Sequence, residues 1–137
     1  MFPRLEAGDK DDAIRRFVGL LAESRGIENL DPLLDAVFLR EQKDPTGLEH
    51  GIAVPHGKTD AVDDLIAGIA TLAEGVDFGA RDGVPSRILV MTISPQKRSG
   101  PHLQFISEVV RLLRDEALRE RLLVASTSEE LYGAFIQ

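Results

Sequence analysis

The segment Ile88-Leu89-Val90-Met91-Thr92-Ile93 constrains the fold more than any other part of the chain. It is β-branched and nearly unbroken in apolar character, so it predicts a central strand covered on both faces rather than a strand with one wet face. The cover must come from amphipathic helices, and the sequence supplies them on both sides. From Asp9 the run DKDDAIRRFVGLLAESRG sets Ile14, Phe17, Val18 and Leu21 at helical spacing, with acidic residues in the first turn and Gly26 after the last. Asp31-Pro32 predicts a second helix, with the aspartate as its cap and the proline at its first position; it carries Leu33, Leu34, Val37 and Phe38 inward and ends near Gln42. After the central strand, one helix is expected from about His102 to Leu113 and a shorter one over Ala117 to Val124. Thr127-Ser128-Glu129-Glu130 matches a capping box and opens a last helix bearing Leu131, Ala134 and Phe135. A further strand is expected over Leu65 to Leu72, although its alanines suit a helix equally well, and Ile52-Ala53-Val54 forms a short strand that Pro55 should stop. Asp77 to Gly83 reads as a loop. The economical solution is an α/β fold, a three-layer α/β/α sandwich with a mixed β-sheet covered by helices on both faces.

At 137 residues the chain is expected to form a single domain over residues 1–137, large enough to bury a core without disulfides. It has no cysteine, which excludes disulfide frameworks, thiolate metal sites and cysteine nucleophiles. A formal charge of -7 argues against general nucleic-acid binding, because the molecule as a whole repels phosphate backbones. No apolar run reaches the roughly 18 residues of a membrane span, and the opening MFPRLEAGDKDD lacks the apolar stretch of a secretory signal. A soluble, cytoplasmic protein without direct membrane insertion is the expectation.

The most unusual stretch is Gly51-Ile-Ala-Val-Pro-His56-Gly57-Lys58-Thr59. Proline stiffens the backbone before His56, and Gly57 after it removes steric cover and lets the chain turn tightly. A histidine near its unperturbed pKa of about 6.5 is partly neutral at cellular pH and can act as a nucleophile without a separate strong base. Phosphoryl transfer suits this arrangement, since its loose transition state asks mainly for positioning and charge stabilisation. The bland alternative is a turn histidine beside an edge strand. Gly57-Lys58-Thr59 does not complete a phosphate-binding loop: five residues separate Gly51 from Gly57 where four are needed, and proline offers no amide donor. Lys58 is then a solvated lysine or part of a docking surface beside His56. His102, opening the helix after the central strand, can bind phosphate or orient His56, or merely cap its helix. His50 is assigned to a surface loop. The histidine spacings match no zinc motif, so no metal is expected, and no GxSxG elbow is present. Arg40, Arg87 and Arg98 are each able to supply permanent positive charge, and composition does not choose among them.

The segment Thr46-Gly47-Leu48-Glu49-His50-Gly51-Ile52-Ala53-Val54-Pro55-His56-Gly57-Lys58 closely resembles the phosphorylation-site signature of the fructose/mannitol-type enzyme IIA domains of the bacterial phosphoenolpyruvate-dependent sugar phosphotransferase system, a family that includes the nitrogen-regulatory IIA proteins. Further landmarks follow the family's order: Leu39-Arg40-Glu41, Phe78 with Asp82-Gly83-Val84-Pro85, His102-Leu103, and Glu129-Glu130-Leu131-Tyr132. The resemblance implies a three-layer α/β/α phosphocarrier that needs no cofactor. It makes His56 the phosphoryl acceptor, His102 a phosphate contact or ring-orienting group, and Arg40 the group that offsets phosphoryl charge. Thr46 falls at the family's threonine and would help orient the site, with Gly57 and Lys58 completing the binding segment. The implied partners are HPr or its nitrogen-branch counterpart as donor, and a IIB domain or a regulatory protein as target. Two roles follow: delivery of phosphate for sugar uptake, or a nitrogen-regulatory switch whose phosphorylation state selects protein partners. Glu49-His50 departs from the small or amide residues usual before the signature glycine; Glu49 is expected to face solvent, and an inward Glu49 would leave an inactive scaffold. Lys97-Arg98 forms either a docking rim or a solvated loop.

Overall fold

Strand β6, Ser86–Ser94, lies at the centre of the sheet and every residue but Arg87 is buried. The computed structural model describes residues 1–97 and 99–136. Along the chain the elements are β1 (Phe2–Leu5), α1 (Lys10–Ser24), α2 (Asp31–Lys43), β2 (Gly47–Leu48), a single 3₁₀ turn (Glu49–Gly51), β3 (Ile52–Ala53), β4 (His56–Lys58), β5 (Ile66–Val76), β6, α3 (Ser99–Leu112), α4 (Glu116–Val124) and α5 (Ser128–Ile136). The six described strands form one sheet in the order β1-β5-β6-β3-β2, with β4 also paired to β6. Pairing is mixed: β5 runs antiparallel to β6, whereas β3 and β4 run parallel to it.

The two faces of β6 have separate cores. Leu89, Met91 and Ile93 pack with Ile14, Phe17, Val18 and Leu21 of α1 and with Leu33 and Val37 of α2. Ile88 and Val90 pack with Val109 of α3, Leu118 and Leu122 of α4, and Leu131 of α5. This is the α/β/α sandwich with a mixed sheet that the continuous apolar strand demands. No helix among the described residues is long and apolar enough to cross a membrane.

Local details depart from the sequence expectations. Phe2–Leu5 forms an edge strand on β5, although Pro3 and a thin apolar pattern give it little intrinsic strand character; the contact with β5 makes it. Asp31 does not cap α2. The cap position falls on Leu30, which makes no side-chain bond, and Asp31 and Pro32 lie within the first turn. The strand expected over Leu65 to Leu72 is β5 and runs on to Val76, its exposed far end carried by the pairing Val76 to Ser86. The helix expected from His102 starts at Ser99, so His102 sits inside its first turn. At α5 the capping box forms with one half displaced. The Glu130 amide donates to Thr127 Oγ1 at 3.1 Å, while Glu130 Oε2 accepts from the Ser126 amide at 2.9 Å.

The short strand does stop before Pro55, at Ala53, but the pairing to β6 resumes beyond it as β4. Ala53 pairs with Leu89 and His56 with Thr92, so the ladder along β6 resumes in the same register after Val54-Pro55. Without an amide proton, proline interrupts the ladder for one step, and the sheet neighbour re-establishes it.

Candidate phosphohistidine site

Parallel neighbours in register point to the same face, so His56 and Thr92 both face the α3 side of the sheet. From α3, His102 comes down onto the same spot. The two imidazole rings lie with centroids 4.7 Å apart and planes inclined by 34°. Together with Ala36, Leu39, Arg40, Lys43, Gly57, Lys58, Gln96 and Leu103 they line an open cavity of about 510 Å³. Sequence placed His56 and His102 on separate segments; the fold brings them together at the C-terminal end of the central strand.

His56 Nδ1 lies 2.9 Å from the Val54 carbonyl oxygen. A carbonyl only accepts, so Nδ1 carries the proton, and the neutral ring presents the lone pair of Nε2. The Val54 amide in turn donates to the Thr46 carbonyl at 3.1 Å. Thr46 is buried and fastened to Glu41, whose Oε2 accepts from the Thr46 amide at 2.9 Å and whose Oε1 accepts from the Thr46 hydroxyl at 2.5 Å. Lys10 Nζ closes the set at 3.0 Å from Glu41 Oε2. Thr46 therefore does not line the cavity; it reaches His56 through the backbone at Val54.

His102 is 7% exposed, and its Nδ1 lies 2.5 Å from Thr92 Oγ1. Burial is the largest reason its pKa falls from 6.5 to about 4, followed by the charges of His56, Lys58 and Arg40. Burial also lowers the pKa of His56, with Arg40 and Lys58 adding to the effect against the opposing Val54 bond and Glu41 charge. Both rings are thus held neutral at pH 7, one beside the other.

Gly57 acts differently from the tight turn expected of it. It lies in β4, paired with Ile93, and a Cβ there would come within 2.9 Å of the Ala36 backbone and of its side chain. The missing side chain admits α2 against the sheet, one helical turn before Arg40. Arg40 Nη1 donates to the Asp44 carbonyl at 2.7 Å, which ties the guanidinium near the rim while its charge acts on both histidines.

Other basic candidates separate cleanly. Arg87 lies at the opposite end of β6, where Nε and Nη2 donate to the Leu72 and Ala73 carbonyls, so it is no part of the site. Arg98 lies outside the described residues, and its neighbour Lys97 is exposed. Glu49 is 71% exposed at its side chain and, with His50, borders a different cavity of about 690 Å³ that also involves Leu48, Arg81 and Arg114. It does not line the His56 cavity. His50 sits in the 3₁₀ turn with φ of 67°, its amide bound to Asp82 Oδ2 at 3.0 Å. Sequence reasoning missed the supporting roles of Glu41 and Thr92. Each left a trace: Glu41 continues the inward Leu33, Val37 spacing of α2, and Thr92 is the one hydroxyl in an otherwise apolar run.

Residues 1–137 match the sequence model of the family described as "Phosphoenolpyruvate-dependent sugar phosphotransferase system, EIIA 2". The chain belongs to this family. The fructose-specific EIIA component of Haloferax volcanii is 38% identical over 120 residues, covering 88% of this chain and 78% of that protein. Among solved structures, the nitrogen regulatory protein IIA-Ntr of Neisseria meningitidis superposes with a TM-score of 0.86 at 26% identity, covering 98% of this chain and 90% of that one. The IIA-mannitol enzyme of Escherichia coli, solved in complex with phosphorylated IIB-mannitol, gives a TM-score of 0.81 at 27% identity over 98% of this chain and 92% of that one. As an EIIA member the chain is a phosphotransfer component of the phosphoenolpyruvate-dependent phosphotransferase system.

Proposed function

We propose that this EIIA chain accepts a phosphoryl group on Nε2 of His56 from HPr, or from its nitrogen-branch counterpart, and passes it to a cysteine of a IIB domain. The observation that carries this reading is the Val54 carbonyl, which commits Nδ1 of His56 to a proton and leaves Nε2 as the nucleophile facing an open cavity. In the first step the Nε2 lone pair attacks phosphorus, and the phosphorus–nitrogen bond to the donor's histidine breaks with its electron pair returning to that ring. The His56 ring becomes cationic, and Nδ1–H bonded to Val54 stabilises it. In the second step a IIB thiolate attacks the same phosphorus, and the electron pair of the breaking bond restores neutral His56. Because a low pKa keeps His56 unprotonated at pH 7, no separate base is required.

Arg40 and Lys58 supply positive charge for the phosphoryl oxygens, and Gly57 sets the spacing between α2 and β4 that holds Arg40 at the rim. Thr46 positions the Val54 backbone rather than touching the phosphoryl group. The IIB-type acceptor is supported by the Escherichia coli neighbour solved with phosphorylated IIB-mannitol. A second reading, in which the phosphorylation state selects regulatory partners, is supported by the likeness to the Neisseria nitrogen regulatory protein.

The test is incubation with phosphoenolpyruvate, enzyme I and HPr, followed by intact-mass measurement of wild type and His56→Ala. One acid-labile phosphoryl group is expected on the wild type alone. Equal labelling of the variant, or none on the wild type with competent donors, overturns the assignment. Subsequent transfer to a purified IIB domain separates the uptake role from the regulatory one.

A further inference from the structure

We infer that Thr92 is a positioning residue: by donating its hydroxyl proton to Nδ1 of His102, it fixes the His102 tautomer so that Nε2–H is offered to the phosphoryl group carried by His56. The inference rests on the phosphocarrier reading and adds a residue to it. Thr92 is fully buried, and His102 Nδ1 is the hydrogen-bond partner of its hydroxyl among the described residues. Two arrangements satisfy a contact of this kind. If Nδ1 donated to Thr92 Oγ1, the hydroxyl proton would be left buried without an acceptor, at the usual desolvation penalty, and a lone pair on Nε2 would face the phosphoryl oxygens. If Thr92 donates, its proton is satisfied, Nδ1 is satisfied, and His102 presents a donor where an acceptor is about to arrive. The second arrangement leaves no proton orphaned.

The placement supports the same assignment. Thr92 stands beside His56 in the ladder and beneath His102, so one strand position registers both rings. A β-branched hydroxyl residue has few rotamers on a strand, which keeps Oγ1 aimed at the ring. Valine would fill the same space, and only the hydroxyl distinguishes the two.

The experiment measures ring nitrogen chemical shifts of the unphosphorylated protein by 15N–1H correlation, then repeats the pH titration and the phosphorylation kinetics with Thr92→Val and Thr92→Ser. In the wild type, His102 is expected to carry its proton on Nε2, while His56 carries its own on Nδ1. Removing a donor to Nδ1 destabilises the neutral ring, so Thr92→Val should raise the His102 titration midpoint; removing an acceptor would lower it. The charges facing this ring, His56 and Lys58 on β4 and Arg40 on α2, are common to all three proteins. Phosphorylation by phospho-HPr should slow about tenfold in Thr92→Val and recover in Thr92→Ser. A wild-type His102 protonated on Nδ1 overturns the inference, even if Thr92→Val fails to fold. Unchanged kinetics and midpoint in a folded Thr92→Val also overturn it. Both results leave His56 phosphorylation standing, whereas failure of the wild type to be phosphorylated at all strikes the underlying reading and not the tautomer.

Discussion

Replacing His102 by glutamine should remove much of the protein's acid sensitivity. The folded ring titrates at about 4, against 6.5 in the unfolded chain. Between those values the unfolded chain binds a proton that the folded protein refuses, so the neutral ring's contribution is complete above about pH 6.5 and is lost as pH falls toward about 4. A displacement of that size corresponds to roughly 3 kcal/mol, a substantial part of the 5–15 kcal/mol typical of a domain. At 7% exposure the ring has little solvent to screen this effect. Glutamine has no proton to gain, and the carboxylates titrate alike in both proteins, so their contribution cancels in the difference. Urea unfolding followed by far-ultraviolet circular dichroism, from about pH 7.5 down to about pH 4.5, should show wild-type stability falling toward the variant by roughly 2 kcal/mol. His56 also has a lowered pKa and remains in both proteins, so the variant keeps some acid sensitivity of its own and only the difference between the two curves reports His102. Parallel curves for the two proteins would refute the reasoning that burial keeps His102 neutral.

Gly57→Ala should lower the melting temperature by about 5 °C, since overpacking costs roughly 1–3 kcal/mol and the clashing atoms belong to the backbone and Cβ of Ala36. Gly133→Ala, with nothing within 4 Å of the added carbon, serves as the control and should melt no lower than wild type; equal melting of the two variants contradicts the close-approach explanation. Glu41→Gln should cost roughly 3 kcal/mol in denaturant unfolding, because it leaves Lys10 without its charge partner and disturbs both bonds to Thr46. A variant as stable as wild type would mean that Glu41 does not hold the Thr46 backbone.

The sequence made β6 and both helical layers legible because a continuous apolar strand has only one economical solution, burial on two faces. It was weaker where tertiary pairing overrides local chemistry. Phe2–Leu5 becomes a strand only against β5, and the ladder continues past Pro55 only because β6 is there to receive His56. At the site, His56, the proposed nucleophile, stood out through its proline and glycine neighbours, and the resemblance selected Arg40. The meaning of Gly57 did not follow from spacing, since the obstacle it avoids lies on α2, twenty-one residues earlier in the chain. Glu41 and Thr92 were hidden for a related reason. A buried polar residue is informative only once its partner is known, and their partners, Thr46 and His102, are placed by the fold.

The central claim is that the Val54 carbonyl reserves Nε2 of His56 for phosphorus. Its most direct test is phosphorus–nitrogen NMR of the ring-labelled protein after phosphorylation by HPr. Phosphorus is expected on Nε2 of His56, with Nδ1 still protonated. Phosphorus on Nδ1 of His56, or on either ring nitrogen of His102, would contradict it.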